Sequence, residues 1–154
     1  MNTDRRRRLV EQYRDGHRAV SDALAGITDA ELDRSVSGEW TPREIAHHLA
    51  DSEMMSAIRL RRMLAEDEPL LHGYDEVQFA RALTRDRPIA ASIEAMRWAR
   101  ESSLQIIERL GEHEWERTAT HEESGPYSVD SWLETYAVHP HDHAAQIRRS
   151  RGKA

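Results

Sequence analysis

Thr41-Pro42-Arg43-Glu44 constrains the fold of this chain more than any other four residues. A threonine in N-cap position, a proline at the first helical position and a glutamate three residues after the cap form a capping box, in which two backbone N–H groups find side-chain acceptors reciprocally. Trp40 stands just before the cap, placed as a hydrophobic staple to Ile45. A long helix is therefore expected to run to about Glu66, with Asp67 to Pro69 breaking it. Its inward stripe reads Ile45, His48, Leu49, Ser52 and Met55, so His48 points where a core should be and His47 points elsewhere.

Three more long helical patterns follow the same logic. From Thr3 to Ala25, Leu9, Val10, Tyr13, Val20 and Leu24 recur at helical spacing, and Gly26 is suited to end the helix. Pro88 stands near the start of a helix to about Leu110, with Ile89, Ile93, Met96, Leu104, Ile107 and Leu110 available for burial and Gly111 closing it. Ser128 can cap a last helix to about Arg149. Between them, Thr28-Asp29-Ala30-Glu31 reads as a capping box for one short turn, Asp75 as the cap of a short helix to Leu83, and Gly125-Pro126 as a turn. No internal repeat or β-like alternation stands out. The pattern predicts an all-α chain, a four-helix bundle with short accessory helices, forming a single domain over residues 1–154.

Composition narrows the function. Cysteine is absent, which excludes disulfides, thiolate metal sites and a cysteine nucleophile and fits a reducing compartment. Acidic residues outnumber Lys and Arg by 28 to 22, against a nucleic-acid-binding surface. The basic runs Arg5 to Arg8, Arg59 to Arg62 and Arg148 to Arg151 are expected to be solvated helix faces. No apolar run approaches the ~18 residues of a membrane span, and the N-terminus lacks the apolar region of a signal peptide. A soluble, cytoplasmic protein is the expectation.

The chemistry concentrates in the last helix. His139 and His143 are one turn apart on a stripe with Trp132, Tyr136 and Ile147. Two imidazoles facing a core need a shared partner, since an unpaired buried polar group costs about 1–3 kcal/mol. A metal ion fits that role, neutral imidazole being the commonest metal ligand, and His48 supplies a third inward ring. Asp51, one turn beyond His48, could orient a ligand ring. His17, with no second ligand one turn away, reads as a core-edge histidine with a hydrogen-bond partner. Pro140 lies between the paired histidines, where it removes the hydrogen bond to the Tyr136 carbonyl and should kink or interrupt the helix.

These residues carry a family resemblance. Trp40 to Glu53, then Tyr74-Asp75-Glu76, then Trp132-Leu133, Tyr136-Ala137-Val138-His139, His143 and Gln146-Ile147 resemble the DinB/YfiT-like superfamily over nearly the whole chain. The resemblance implies an up-down-down-up type of four-helix bundle, often a homodimer, binding one divalent transition metal such as zinc or nickel through His48, His139 and His143. It carries no implication of DNA binding. His121 resembles a histidine found before the last helix in close relatives and is not assigned as a ligand.

Three imidazoles leave coordination positions open, the pattern of a catalytic rather than a structural site. Such a site can activate bound water or a bound thiol for attack on a small-molecule substrate. The family resembled includes transferases and isomerases that use low-molecular-weight thiols as co-substrates, and candidate metal-dependent hydrolases. Thiol transfer to an electrophile is the first expectation, metal-dependent hydrolysis the second and a metal-stabilised binding module without turnover the third. No catalytic residue is assigned; hydrolysis would want a general base, and Asp51, Asp142 or Glu53 could serve only if the fold brings one to the site.

Overall fold

A computed structural model describes residues 1–152. Four long helices make its body: α1 (Thr3–Leu24), α3 (Pro42–Ala65), α5 (Ala90–Ile107) and α7 (Val129–Ser150). α1 packs on α7 and α5, and α3 packs on the same two, so α1 and α3 face each other across one diagonal of the bundle. Three short helices, α2 (Asp29–Leu32), α4 (Glu76–Leu83) and α6 (Glu112–Trp115), sit in the connections.

The local signals act as the sequence implies. At the start of α3 the Thr41 N–H donates to Glu44 at 2.8 Å and the Glu44 N–H donates to the Thr41 hydroxyl at 3.2 Å. The Thr28–Glu31 box opens α2, Asp75 accepts from the Gln78 N–H at α4, and Ser128 accepts from the Ser131 N–H at α7. Two apolar clusters fill the bundle. One is built around Tyr13, Leu60, Trp132, Leu133 and Tyr136; the other, around Val20, Ile45, Leu49, Met96 and Ile147, lies toward the opposite end of α1 and α7.

Several features depart from the sequence reading. A small sheet joins the connections: β1 (Leu70–Leu71) runs parallel to β2 (Thr118–His121), and β2 pairs antiparallel with β3 (Gly125–Ser128), with His121 opposite Gly125. β2 does alternate, burying Ala119 and His121 while exposing both threonines. Four residues whose inward members are alanine and histidine give no apolar period, so the pattern is invisible in sequence. Second, α5 ends at Ile107, three residues before Leu110, and Gly111 does not close it. Gly111 has φ −78° and caps α6, its carbonyl accepting from the Glu114 and Trp115 N–H groups. Third, Met55 is only half-buried, while Glu53 is fully buried.

Helix α7 runs unbroken through Pro140. The Tyr136 carbonyl that the proline leaves without its helical donor accepts instead from the Arg100 guanidinium, at 3.2 Å. Arg100 is buried; it ion-pairs with Glu53 of α3, donates to the Tyr13 carbonyl of α1 at 2.5 Å, and lies 3.8 Å over the Tyr13 ring. One side chain of α5 thus ties together all four long helices. Gly16 makes room for it: a Cβ there would sit 2.7 Å from the Arg100 guanidinium and 2.9 Å from the Pro140 ring.

Candidate metal centre

His48 comes to the site from α3, and His139 and His143 from α7. Their Nε2 atoms converge: that of His139 lies 3.1 Å from that of His48 and 3.1 Å from that of His143. One nitrogen from each ring lies within 4.8 Å of the others, and no carboxylate among the described residues joins the group. All three rings meet near edge-on, with interplanar angles of 65° to 85°.

Hydrogen bonding cannot satisfy this arrangement. The His143 Nδ1–H donates to the Gln146 amide oxygen at 3.0 Å, so its Nε2 presents a lone pair to the cluster. The His139 Nε2 touches both other rings, yet a neutral imidazole nitrogen has either one proton to give or one lone pair to accept with. His139 Nδ1 is buried and has no partner. A cation at the centre would use all three lone pairs at once, leaving each ring proton on the far nitrogen. The 3.1 Å separations of His139 from the other two rings suit it, because tetrahedral ligand atoms about 2.0–2.1 Å from an ion stand roughly 3.3 Å apart.

Burial favours the neutral rings that coordination needs. It pushes His48 down to about 4 and His139 to about 3, with the neighbouring rings adding to both shifts. His143 is lowered too, first by burial and against the pull of Gln146. Trp40 closes one side, edge-on to His48 at 4.7 Å between centroids and parallel to His143 at 6.3 Å. It packs against the apolar cluster containing Ile45, so the residue read as a staple also walls the site.

Asp51 is half-buried, and burial raises its carboxyl, but it bonds to none of the three rings among the described residues. The group that orients a ring is Gln146, which sequence reasoning quoted only as part of a motif. Its position three residues after His143, on the same helix face, was the available signal. Glu53 is committed to Arg100, and Asp142 is exposed. His47 is buried away from the cluster, with Ser92 at 2.7 Å from its Nδ1. His17 lies 3.3 Å from the Ser21 hydroxyl. His121 lines an adjoining cavity with His139, and its Nδ1 accepts from the Glu123 N–H.

A helical bundle whose facing helices bring three histidine ring nitrogens together is an architecture that could hold a metal ion between helices. The chain belongs to the DinB superfamily, whose family model matches residues 12–147. A protein of Oceanobacillus iheyensis that carries the provisional name metal-dependent hydrolase OB0782 is 32% identical over 139 residues, 90% of this chain and 81% of the relative. A Bacillus cereus protein with the same provisional name is 26% identical over 139 residues, 90% of this chain and 80% of its own length. Among solved structures, YfiT from Bacillus subtilis, described as a probable metal-dependent hydrolase with an unusual four-helix bundle topology, superposes with a TM-score of 0.92. It is 23% identical, the match covering 100% of this chain and 91% of YfiT. No helix among the described residues is long and apolar enough to cross a membrane.

Proposed function

We propose that this chain is a divalent-metal-dependent enzyme in which His48, His139 and His143 hold one zinc or nickel ion, and that it transfers a low-molecular-weight thiol to an electrophilic small molecule. The convergence of three Nε2 atoms that hydrogen bonding cannot satisfy carries the metal reading. When bound, such an ion would lower the pKa of a thiol or water placed at its open position. The chain's own residues do the rest. Gln146 fixes the His143 tautomer, and Trp40 keeps water from one side of the rings.

That no carboxylate among the described residues joins the cluster favours thiol over water as nucleophile. Water attack ordinarily draws on a general base within reach, whereas a thiol, with an ordinary pKa near ~8.5, needs little help to ionise. Hydrolysis is the second reading, favoured by the provisional names of the relatives. Elemental analysis of the parent and of His143→Ala tests the ion: about one equivalent in the parent and little in the variant is expected. A parent that retains no metal and binds neither added zinc nor nickel would sink both readings. Turnover of an activated aryl halide with small thiols, against thiol-free hydrolysis of an aryl ester, decides between them. Ester hydrolysis without thiol-dependent turnover would reverse their order.

A further inference from the structure

A cavity of about 280 Å³ opens beside the histidine cluster, with His139 and Tyr136 of α7, Ser52 and Arg59 of α3, Glu76 of α4 and His121 of β2 in its wall. Its volume is just under the ~300 Å³ where small-molecule sites begin. Arg59 is the one arginine of that wall. It donates to the Tyr136 hydroxyl at 3.1 Å and to the His72 carbonyl at 2.8 Å, both neutral acceptors. Its Nε is buried and without a partner. By contrast Arg6, Arg43, Arg100 and Arg151, the buried arginines, each pair with a carboxylate.

A guanidinium whose hydrogen bonds go only to neutral oxygens keeps donor capacity for an anion, and its planar fork fits a carboxylate. Glu76 stands in the same wall and repels any entering anion, a dianionic phosphate about twice as strongly as a singly charged carboxylate, so the cavity favours the carboxylate of the two. We infer that Arg59 anchors the carboxylate of a small carboxylic acid in this cavity, placing the reacting part of the substrate toward His139 and the histidine cluster. The assignment of the reacting end rests on the metal reading above; the Arg59 anchor does not.

The test is an NMR titration of the full chain, zinc-loaded and chelator-treated, with butyrate, with neutral butyramide and with inorganic phosphate. Butyrate is expected to shift the Arg59 Nε–H resonance in both forms and to bind at least about tenfold more tightly than butyramide, as expected for a charge-assisted bond. Arg59→Gln is expected to weaken butyrate binding about tenfold or more. Arg61→Gln, on the same helix but hydrogen-bonded to α5 through Ser102, should not. Should Arg59→Gln fail to fold, the Arg59 resonance of the parent, shifted by butyrate and not by butyramide, carries the test. Butyrate binding that survives Arg59→Gln in the zinc form alone would place the carboxylate on the ion and overturn the anchor while leaving the metal reading intact. Tighter binding of phosphate than of butyrate, or no butyrate binding in either form, overturns it as well. A chain that takes up no zinc yet binds butyrate through Arg59 keeps the anchor and loses the metal reading.

Discussion

Two buried polar groups meet α7 about one turn apart, and they solve the same problem in opposite ways. Arg100 enters a low-dielectric core with its counter-charge, Glu53, and with two backbone carbonyls that accept from its terminal N–H groups. The histidine cluster enters with three neutral rings, one shared contact atom and, among the described residues, no carboxylate to complete it. Burial raises the Glu53 carboxyl, and Arg100 opposes that rise; burial lowers all three histidines, and the neighbouring rings add to the fall of His48 and His139. The first group has its charge matched within the chain, although the Arg100 Nε and one Glu53 carboxylate oxygen are buried without a partner, and it serves the fold. The second is open, and its lone pairs are available to a ligand from outside. Depth alone therefore does not separate structure from function here; the balance of donors, acceptors and charge does.

The widest break in that comparison comes from Arg100→Met. It leaves Glu53 and two carbonyls buried without their donor, and a stability loss of about 3–5 kcal/mol is expected by urea unfolding. A loss below about 1 kcal/mol would show that the bundle does not depend on the pair. Acid sharpens the other half. The folded rings of His48 and His139 protonate only near pH 4 and 3, whereas the unfolded chain protonates near the ordinary 6.5. Below pH 6.5 the unfolded state therefore binds more protons, and stability falls as pH drops toward 4, by up to about 1.4 kcal/mol per unit for each ring. Above 6.5 the profile for these groups is flat. The chelator-treated protein should show this slope in its urea midpoints, and His48→Ala with His139→Ala should reduce it, His143 and the other lowered histidines keeping a remainder; an unchanged slope would refute the lowered values. Next in size, Gln146→Leu should weaken metal affinity roughly 10–100-fold by freeing the His143 tautomer. The metal-free melting temperature should hardly move, which a calorimetric titration paired with a melt can check.

The two regions also differ in how far the sequence disclosed them. His48, His139 and His143 stand out because histidine on an apolar helix stripe is conspicuous, and helical period alone puts all three inward. Arg100 and Glu53 look like ordinary charged residues of helix surfaces, since nothing local tells a buried pair from a solvated one. Their pairing depends on which faces of α3 and α5 meet, a tertiary fact. The capping boxes at Thr28 and Thr41 were legible because a cap is chemistry within four residues. The sheet was not: the parallel pairing of Leu70 and Leu71 with Thr120 and His121 joins segments nearly fifty residues apart, and β2 has no apolar alternation. Gln146 and Arg59 were missed for a related reason, as their roles lie in what their tips touch.

Pro140 links the two regions and gives the smallest effect. A proline inside a helix ordinarily costs about 3 kcal/mol, because it removes one hydrogen bond and crowds the preceding turn. Here the freed Tyr136 carbonyl already has a donor in Arg100, and the ring packs where Gly16 leaves space. Pro140→Ala would restore a backbone N–H to compete with Arg100 for that carbonyl, while losing the ring's packing, so the single variant should change stability by no more than about 1 kcal/mol. In the Arg100→Met background the same substitution returns a donor to a carbonyl that has none. It should then recover about 1 kcal/mol more than it does in the parent. A double-mutant cycle by urea unfolding measures that difference directly. Coupling near zero would mean that Arg100 acts through Glu53 and Tyr13 rather than through α7, and that the unbroken helix carrying His139 and His143 owes nothing to the buried arginine.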